Sequence, residues 1–360
     1  MIFSYLIAFF TLSFLILLHE FSHFLVAKKY KVKVEEFGIG LPPRIFGKKF
    51  GETIYSINFL PFGGFVKLLG ENETIEKEGS FSQKPVWQRI QIVGAGIVSF
   101  WIFSWIIFTF LFVKGIPQAI SDSDQGNLID PRVQIVFVSP NSPAENANLK
   151  VGDIIREVET QNSKISISRV KELQQVINEN KGKEVTLTIE RGKKIFKTKI
   201  VPRVETPEGE GPIGIFLSRI STVSFPWYIA PFKAIERVAI LSKNIVLGTF
   251  LFLKDLIFEK KVSGVEVAGP LRIGQMLAQM QQAGFSYYLS FLGTISIYLA
   301  IFNLLPIPAL DGGKLLFLVL EKIRRKPVSP QFEQKITAFF FFLLLTLMIL
   351  VTIKDIKTIF

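Results

Sequence analysis

Leu17-Leu18-His19-Glu20-Phe21-Ser22-His23-Phe24-Leu25 is the stretch on which the fold of this chain turns. It lies inside an apolar run from Ile2 to Ala27 in which Glu20 is the sole acidic or basic residue apart from the two histidines. On a helix, His19 and His23 are four positions apart and project from one face. Two imidazoles so placed can hold one zinc ion, with Glu20 as base for its water. The same pattern can arise by chance on a buried helix. This chain, however, has only two histidines, and both are here. Placed at random, two histidines would fall four apart in roughly one chain in two hundred, before any glutamate is required. Ionisable groups at membrane depth cost about 2.5 kcal/mol or more each, which argues against an idle cluster.

Working outward, the apolar run from about residue 2 to 27 is long enough to cross ~30 Å of hydrocarbon. Lys28, Lys29, Lys31 and Lys33 follow at once, and no charged side chain precedes the run. The excess of lysines places the N-terminus outside and the lysines in the cytoplasm. At ~1.5 Å per residue, His19 then lies roughly 25 Å from the outer end, near the cytoplasmic side. The run lacks a basic leader region and a small-residue cleavage site, so it is expected to be a retained span rather than a signal peptide.

Composition agrees with a membrane protein: 49% of the 360 residues are apolar and 36 are phenylalanine. The net charge of +12 would suit nucleic acid in a soluble protein. Here the basic residues flank apolar segments, so the sign reports topology and contact with the lipid bilayer, and no nucleic-acid partner is expected. The absence of cysteine excludes disulfides, thiolate ligands and a cysteine nucleophile.

Val34–Ile39 and Thr53–Phe59 have strand character and are separated by Gly40, Pro42, Pro43, Gly47 and Gly51. Leu60-Pro61-Phe62-Gly63-Gly64-Phe65-Val66-Lys67 then forms an apolar strand interrupted by a glycine pair. Its edge, at Gly63, Gly64 and Phe65, could hold an extended peptide by backbone hydrogen bonds, or it could be a plain surface hairpin. Glu71–Gly79 is an acidic loop, expected to be solvated. A second span covers about 90 to 113, where Gly94 and Gly96 make a small face suited to close helix packing. Residues 129–204 are polar and follow the order strand, Ser-Pro-Ala turn, Leu149-x-x-Gly152-Asp153-Ile154-Ile155, helix, two strands. This order resembles a PDZ domain of bacterial proteases, a module that binds peptide ends by strand addition. Asn148 stands where that family has glycine, and asparagine tolerates the positive φ required there. Within a 205–286 linker, Ile245–Leu253 is apolar but too short to span, which suggests an interfacial amphipathic helix. Val267–Gly274 is a loop leading into a further helix.

A third span, about 287 to 305, ends in Asn303-Leu304-Leu305-Pro306-Ile307-Pro308-Ala309-Leu310-Asp311-Gly312-Gly313. Prolines and glycines inside apolar sequence break a helix, and broken backbone at membrane depth is tolerated only inside protein or beside a cavity. Asp311 in this break can be a third metal ligand, or it can merely cap the next helix. With one span between them, the first and third spans run the same way, and Asp311 falls at the depth of His19. Lys322, Arg324, Arg325 and Lys326 support a cytoplasmic loop before a fourth span at about 336 to 353.

Taken together, HEFSH, PFGGFVK, the PDZ-like insert, AGPLRIG and NLLPIPALDGG resemble, in this order, the bacterial site-2 protease family of intramembrane zinc metalloproteases. The closest likeness is to the regulator-of-sigma-E protease group. The resemblance implies a polytopic α-helical membrane protein with four transmembrane helices, a membrane-associated β-hairpin and one inserted α+β PDZ domain. Its parts would be 1–128, with the metal motif and the hairpin region 32–70; 129–204, the PDZ domain; 205–286, the linker; and 287–360, the second membrane part. It further implies that His19, His23 and Asp311 bind Zn2+, that Glu20 is the catalytic acid/base, and that Asn303 holds substrate or oxyanion. The 53–67 hairpin, with Gly63, Gly64 and Phe65, would pair with the substrate strand. Partners would be transmembrane protein substrates, the bilayer and a peptide ligand of the PDZ domain. The expected place is the bacterial cytoplasmic membrane, with both termini and the PDZ domain outside. The function implied is cleavage of transmembrane segments of single-span proteins such as anti-sigma factors or remnant signal peptides. The alternative is a proteolytically inactive membrane PDZ receptor. Two departures stand out: Gly96-Ile97-Val98-Ser99-Phe100 lacks the family's usual proline and asparagine, and Lys314 replaces a frequent histidine.

Overall fold

The computed structural model describes all residues except 1, 72, 74, 125–128, 193, 208–209, 259–267 and 360. Val267, at the head of the loop expected before Gly274, and residues 259–267 of the expected linker therefore lie outside the described residues. The chain forms two compact units: Met1–Phe108 with Phe232–Ala278 and Phe291–Phe360, and Thr109–Pro231 with Gln279–Ser290.

The chain's first two helices are α1 (Ile2–Lys29), in the first unit, and α2 (Val86–Lys114), which ends in the second unit. Among the described residues, four helical segments are long and apolar enough to cross a membrane: Leu6–Lys29, Val86–Lys114, Phe285–Leu304 and Pro330–Lys357. Between α1 and α2 lie the strands β1 (Val34–Phe50) and β2 (Thr53–Leu68). Residues 41–50, expected to be a connector, are strand as well. The reason is the register: residues 36–39 pair with 64–67 on one side and with 54–57 on the other, and 44–50 pair with 53–58. The turn-forming glycines and prolines let two long strands double back on themselves, leaving 64–67 and 44–50 as the edges. The base of this sheet joins the helices through Val34, Leu68, Ala27, Ile92 and Leu318 in one buried cluster.

The stretch Ile245–Leu253, read from the sequence as a short apolar segment, belongs to a 29-residue helix, α5 (Ala230–Phe258). Lys233, Glu236, Arg237 and Lys243 precede the apolar stretch on the same helix, and α5 is not among the candidate spans. Pro270 opens α6 (Pro270–Ala283), as its fixed φ and missing N–H allow at a first helical position. Buried Asp355 caps this helix, accepting the Gly269 and Arg272 N–H groups at 3.3 and 3.1 Å. A Cβ on Gly269 would lie 2.5 Å from that carboxylate, which explains the glycine before the proline. α7 (Phe285–Leu304), α8 (Asp311–Arg324) and α9 (Pro330–Ile359) complete the chain. The break between α7 and α8 is the proline-rich run Leu305–Leu310.

The second unit is a sheet of β3 (Ile116–Ile120), β4 (Ile129–Val138), β5 (Ile154–Glu159), β6 (Lys164–Ser166), β7 (Val185–Arg191), β8 (Lys194–Ile200) and β9 (Ile215–Val223). Its order is β3-β9-β4-β5-β7-β8, with β6 on β5, so it reaches beyond 129–204 at both ends. Helices α3 (Pro143–Asn146) and α4 (Val170–Glu179) accompany it. Alternating residues such as Val133, Ile135, Ile155, Leu187 and Ile189 form the core, closed by Leu173, Val176 and Ile177 on one face of α4. Asn148 takes φ +56°, the left-handed turn expected of it. Asp153 is 1% exposed and bound twice by Arg191, at 2.6 and 2.7 Å, with the Lys150 N–H on the same carboxylate. Arg191→Met should leave a buried carboxylate unpaired and cost about 3 kcal/mol. The check is amide hydrogen exchange in β5 and β7, which should accelerate by roughly a hundredfold.

Candidate metal centre

One turn of α1 separates His19 from His23, and their rings meet edge to face with centroids 4.6 Å apart. Both are 8% exposed. The Ile92 carbonyl lies 2.8 Å from His23 Nδ1, which places the proton on Nδ1 and leaves the Nε2 lone pair free. His19 stacks on Phe100 with centroids 5.0 Å apart and planes 19° from parallel. Ile92, Gly96 and Phe100 are spaced by four on α2, so one helix face orients both imidazoles. Gly96 is the point of closest approach. A Cβ there would lie 2.4 Å from both His19 Cε1 and His23 Nε2.

Asp311 reaches the same point from the start of α8. The N-cap of α8 is Leu310, with no side-chain cap bond, so Asp311 is not serving as the cap. Its Oδ2 lies 3.1 Å from His19 Nε2 and 3.3 Å from His23 Nε2, and the two Nε2 atoms are 3.2 Å apart. Gly312 and Gly313 permit this placement: a Cβ on either would fall 2.3 Å from the Leu305 or Ile307 carbonyl. The first turn of α8 can therefore fold back tightly on the broken segment.

These three residues fit a metal ion. Bonds of ~2.0–2.2 Å arranged tetrahedrally separate ligand atoms by about 3.3–3.6 Å, close to the spacing observed. Asp311 Oδ2 is buried without a hydrogen-bond partner among the described residues. Two lone-pair nitrogens and a carboxylate oxygen repel one another at this distance unless a cation or protons lie between them. The donor set, two imidazoles and one carboxylate, suits zinc with a fourth position open. His19 Nδ1 is likewise buried with no hydrogen-bond partner among the described residues.

Glu20 projects from α1 toward the sheet, and its Oε2 accepts the Val66 N–H at 3.2 Å. That N–H belongs to edge residues 64–67, so this edge of the sheet faces Glu20. Gly63 and Gly64 bring the edge against α1. Cβ atoms there would fall 2.8 Å from Ile16 and from Leu17, the turn before His19. Phe65 follows on the same edge, half-buried. Asn303 Nδ2 is engaged by its own helix, donating to the Leu299 carbonyl at 2.9 Å. A cavity of about 350 Å³ opens beside Asp311, lined by Glu71, Arg89, Lys314, Glu321, Glu333 and Thr337 among others. Lys314 pairs with Glu71 at 2.6 Å, so the loop expected to be solvated is anchored at Glu71. Arg89 and Glu321 form a second, two-pronged pair on the same wall.

The model of peptidase family M50 matches residues 7–347. The chain belongs to this family. It is 34% identical to a Clostridium perfringens protein named "Putative zinc metalloprotease", over 95% of each chain. It is 31% identical to the chloroplastic membrane metalloprotease ARASP of Arabidopsis thaliana, over 95% of this chain and 76% of that one. The regulator of sigma-W protease RasP of Bacillus subtilis is 27% identical over 96% of each. The site-2 protease resemblance drawn from the motifs is thereby borne out, and the protein is a membrane peptidase of that family.

Ile92, Gly96, Phe100 and Val66 were not singled out as contacts of the site from the sequence. The small face at Gly94 and Gly96 was the available signal, but it marked close packing without saying against what. The two glycines now separate: nothing lies within 4 Å of a Cβ on Gly94. Gly96→Ala should lower metal affinity tenfold or more, by analogy with the 10–100-fold effects of lost outer-shell support, while Gly94→Ala leaves it unchanged. Metal content after dialysis against graded chelator distinguishes the two.

Proposed function

We propose that this protein is an intramembrane zinc endopeptidase, with His19, His23 and Asp311 holding Zn2+ and Glu20 acting as general base and acid. The observation that carries the reading is the convergence of His19 Nε2, His23 Nε2 and Asp311 Oδ2 within 3.3 Å of one another, with Glu20 next in chain to His19. When bound, zinc supplies Lewis-acid chemistry, acidifying water and drawing charge from the scissile carbonyl. Glu20 takes a proton from the attacking water and returns one to the leaving amine. The Val66 N–H fixes the Glu20 carboxylate for this task. The cavity beside Asp311 offers water a route from the end of the site where Lys314 and Arg89 lie.

Substrate would enter as an extended strand. A helical peptide bond is shielded by its own hydrogen bonds, so a transmembrane substrate has to unwind locally, at several kcal/mol per unsatisfied backbone group. The edge at Gly63, Gly64 and Phe65, beside the Val66 N–H that Glu20 holds, offsets that cost by pairing with the released backbone. Asn303 retains an amide oxygen and one N–H beyond its bond to Leu299, enough to hold substrate. Exposed Ile45, Phe46, Phe50, Ile57 and Phe59 on the hairpin support its association with the bilayer, since soluble surfaces seldom gather so many. Residues 129–204 and the following β9 are proposed to be a PDZ-like domain, supported by the element order and by α4 packing on the sheet core. Lysines after α1 and basic residues at the end of α8 support termini and sheet unit outside a bacterial cytoplasmic membrane. Substrates are then single-span proteins of that membrane, such as anti-sigma factors or remnant signal peptides.

The test is purified protein in detergent with a single-span substrate. Glu20→Gln should keep one zinc per chain and lose cleavage by about 10²–10⁴-fold. Zinc bound with no cleavage of several substrates by the wild type would instead point to a gated or very selective protease. Chelation should abolish wild-type cleavage and added Zn2+ restore it, with no such rescue in His23→Ala; rescue there would remove His23 from the ligand set.

A further inference from the structure

The main run of strands in the second unit's sheet ends at β8 on one side and β3 on the other, with β6 off that run on β5. β8 forms a hairpin with β7, its neighbour in the chain, whereas β3, the first strand of this sheet in the chain, lies beside β9, the last. β3 starts two residues after α2 ends and, among the described residues, pairs only with β9, from Ile116 opposite Val223 to Ile120 opposite Arg219. Of its residues only Ile116 is buried; Gln118 and Ala119 are exposed. The segment beyond it is held by polar clasps. Both oxygens of the Asp122 carboxylate accept N–H groups at the start of α4, from Val170 at 3.1 Å and Lys171 at 2.9 Å. Arg219, on β9 and 5% exposed, donates to the carbonyls of Ser121, Asp122 and Asp124, and to that of Ser168 just before α4.

An extended segment that adds to an edge strand and sets a carboxylate at a helix start has the attributes of a bound peptide. We propose that Ile116–Asp124 is a self-bound occupant of the β9 edge, and that this edge takes an external extended peptide carrying a carboxylate, which binds by displacing it. The inference rests on the PDZ-like reading of this unit and deepens it. Removing the segment would bare the outer N–H and C=O groups of β9, as strand addition requires. It would also free a buried guanidinium and two α4 N–H groups. A carboxylate on Arg219 adds a charge–charge attraction to the charge-assisted bonds that carbonyls alone now make with it. The native segment competes by tethering, which gives it an effective concentration of order millimolar. An external peptide therefore binds with its affinity reduced by the fraction of time the edge is open.

The probe is a synthetic peptide of residues 115–124, labelled at its N-terminus, titrated by fluorescence anisotropy into the full-length protein in detergent. In one variant residues 116–122 are replaced by alternating glycine and serine. A second, Gln118→Cys with Ser221→Cys, locks the strand across a directly paired position in a chain without other cysteines. The peptide should bind the replaced variant at least tenfold more tightly than wild type. It should not bind the oxidised cysteine pair at saturating concentration, and reductant should restore binding. Asp122→Asn in the peptide should weaken it about tenfold. Equal affinity for wild type and the replaced variant would overturn self-occupancy while leaving a peptide-binding unit. No binding to a replaced variant whose β4, β5 and β7 amides stay protected from exchange would overturn the PDZ-like reading as well. Binding unchanged by the oxidised lock would place the peptide elsewhere and remove β9 as its site.

Discussion

Everything in the membrane unit depends on bringing one carboxylate to two imidazoles inside an apolar frame. Asp311 and the histidines come from opposite ends of the chain, and each would be costly alone at membrane depth. The surrounding structure serves this meeting. Gly312 and Gly313 let α8 fold back on the broken run that precedes it, and Gly96 lets α2 lie directly on the rings. The Ile92 carbonyl fixes one tautomer and Phe100 one ring plane. Larger residues at these glycines would force the elements apart by distances that the three converging atoms cannot absorb.

The hairpin illustrates how far sequence pattern carries and where it stops. Alternation and turn residues indicated strands at 34–39 and 53–59, and a glycine pair before Phe65. They did not indicate that 44–50 would also be strand, because proline and glycine weigh against it locally. Pairing decides otherwise: a stretch that finds a partner along 53–58 satisfies its backbone groups there despite its composition. The Glu20 contact with Val66 has the same character. No periodicity announces that an edge N–H of one element will face a carboxylate of another.

In the sheet unit, local chemistry was well legible. The Ser-Pro-Ala turn, the Leu-x-x-Gly-Asp run and the left-handed Asn148 all occur as turn propensities require. What could not be seen was the extent of the sheet. β9 follows a proline-rich stretch and β3 is five residues directly beyond a long apolar helix, so neither stands out by length or alternation. Buried Arg219 and the Asp122 cap became informative only once their partners were known.

The sequence by itself determined the long apolar helices, the presence of a metal motif and the family. Periodicity, apolar length and a rare residue used only twice are properties of the chain that need no partner to be recognised. It also named His19, Glu20, His23 and Asp311, since ionisable groups in apolar sequence stand out against their surroundings. Tertiary structure decided which atoms meet: Oδ2 with two Nε2 atoms, Gly96 with both rings, Lys314 with Glu71, and β3 with β9. Such contacts join residues far apart in the chain, and their existence depends on packing geometry to within a few tenths of an ångström. A one-dimensional pattern constrains composition on a face. It does not constrain which opposing face will be there.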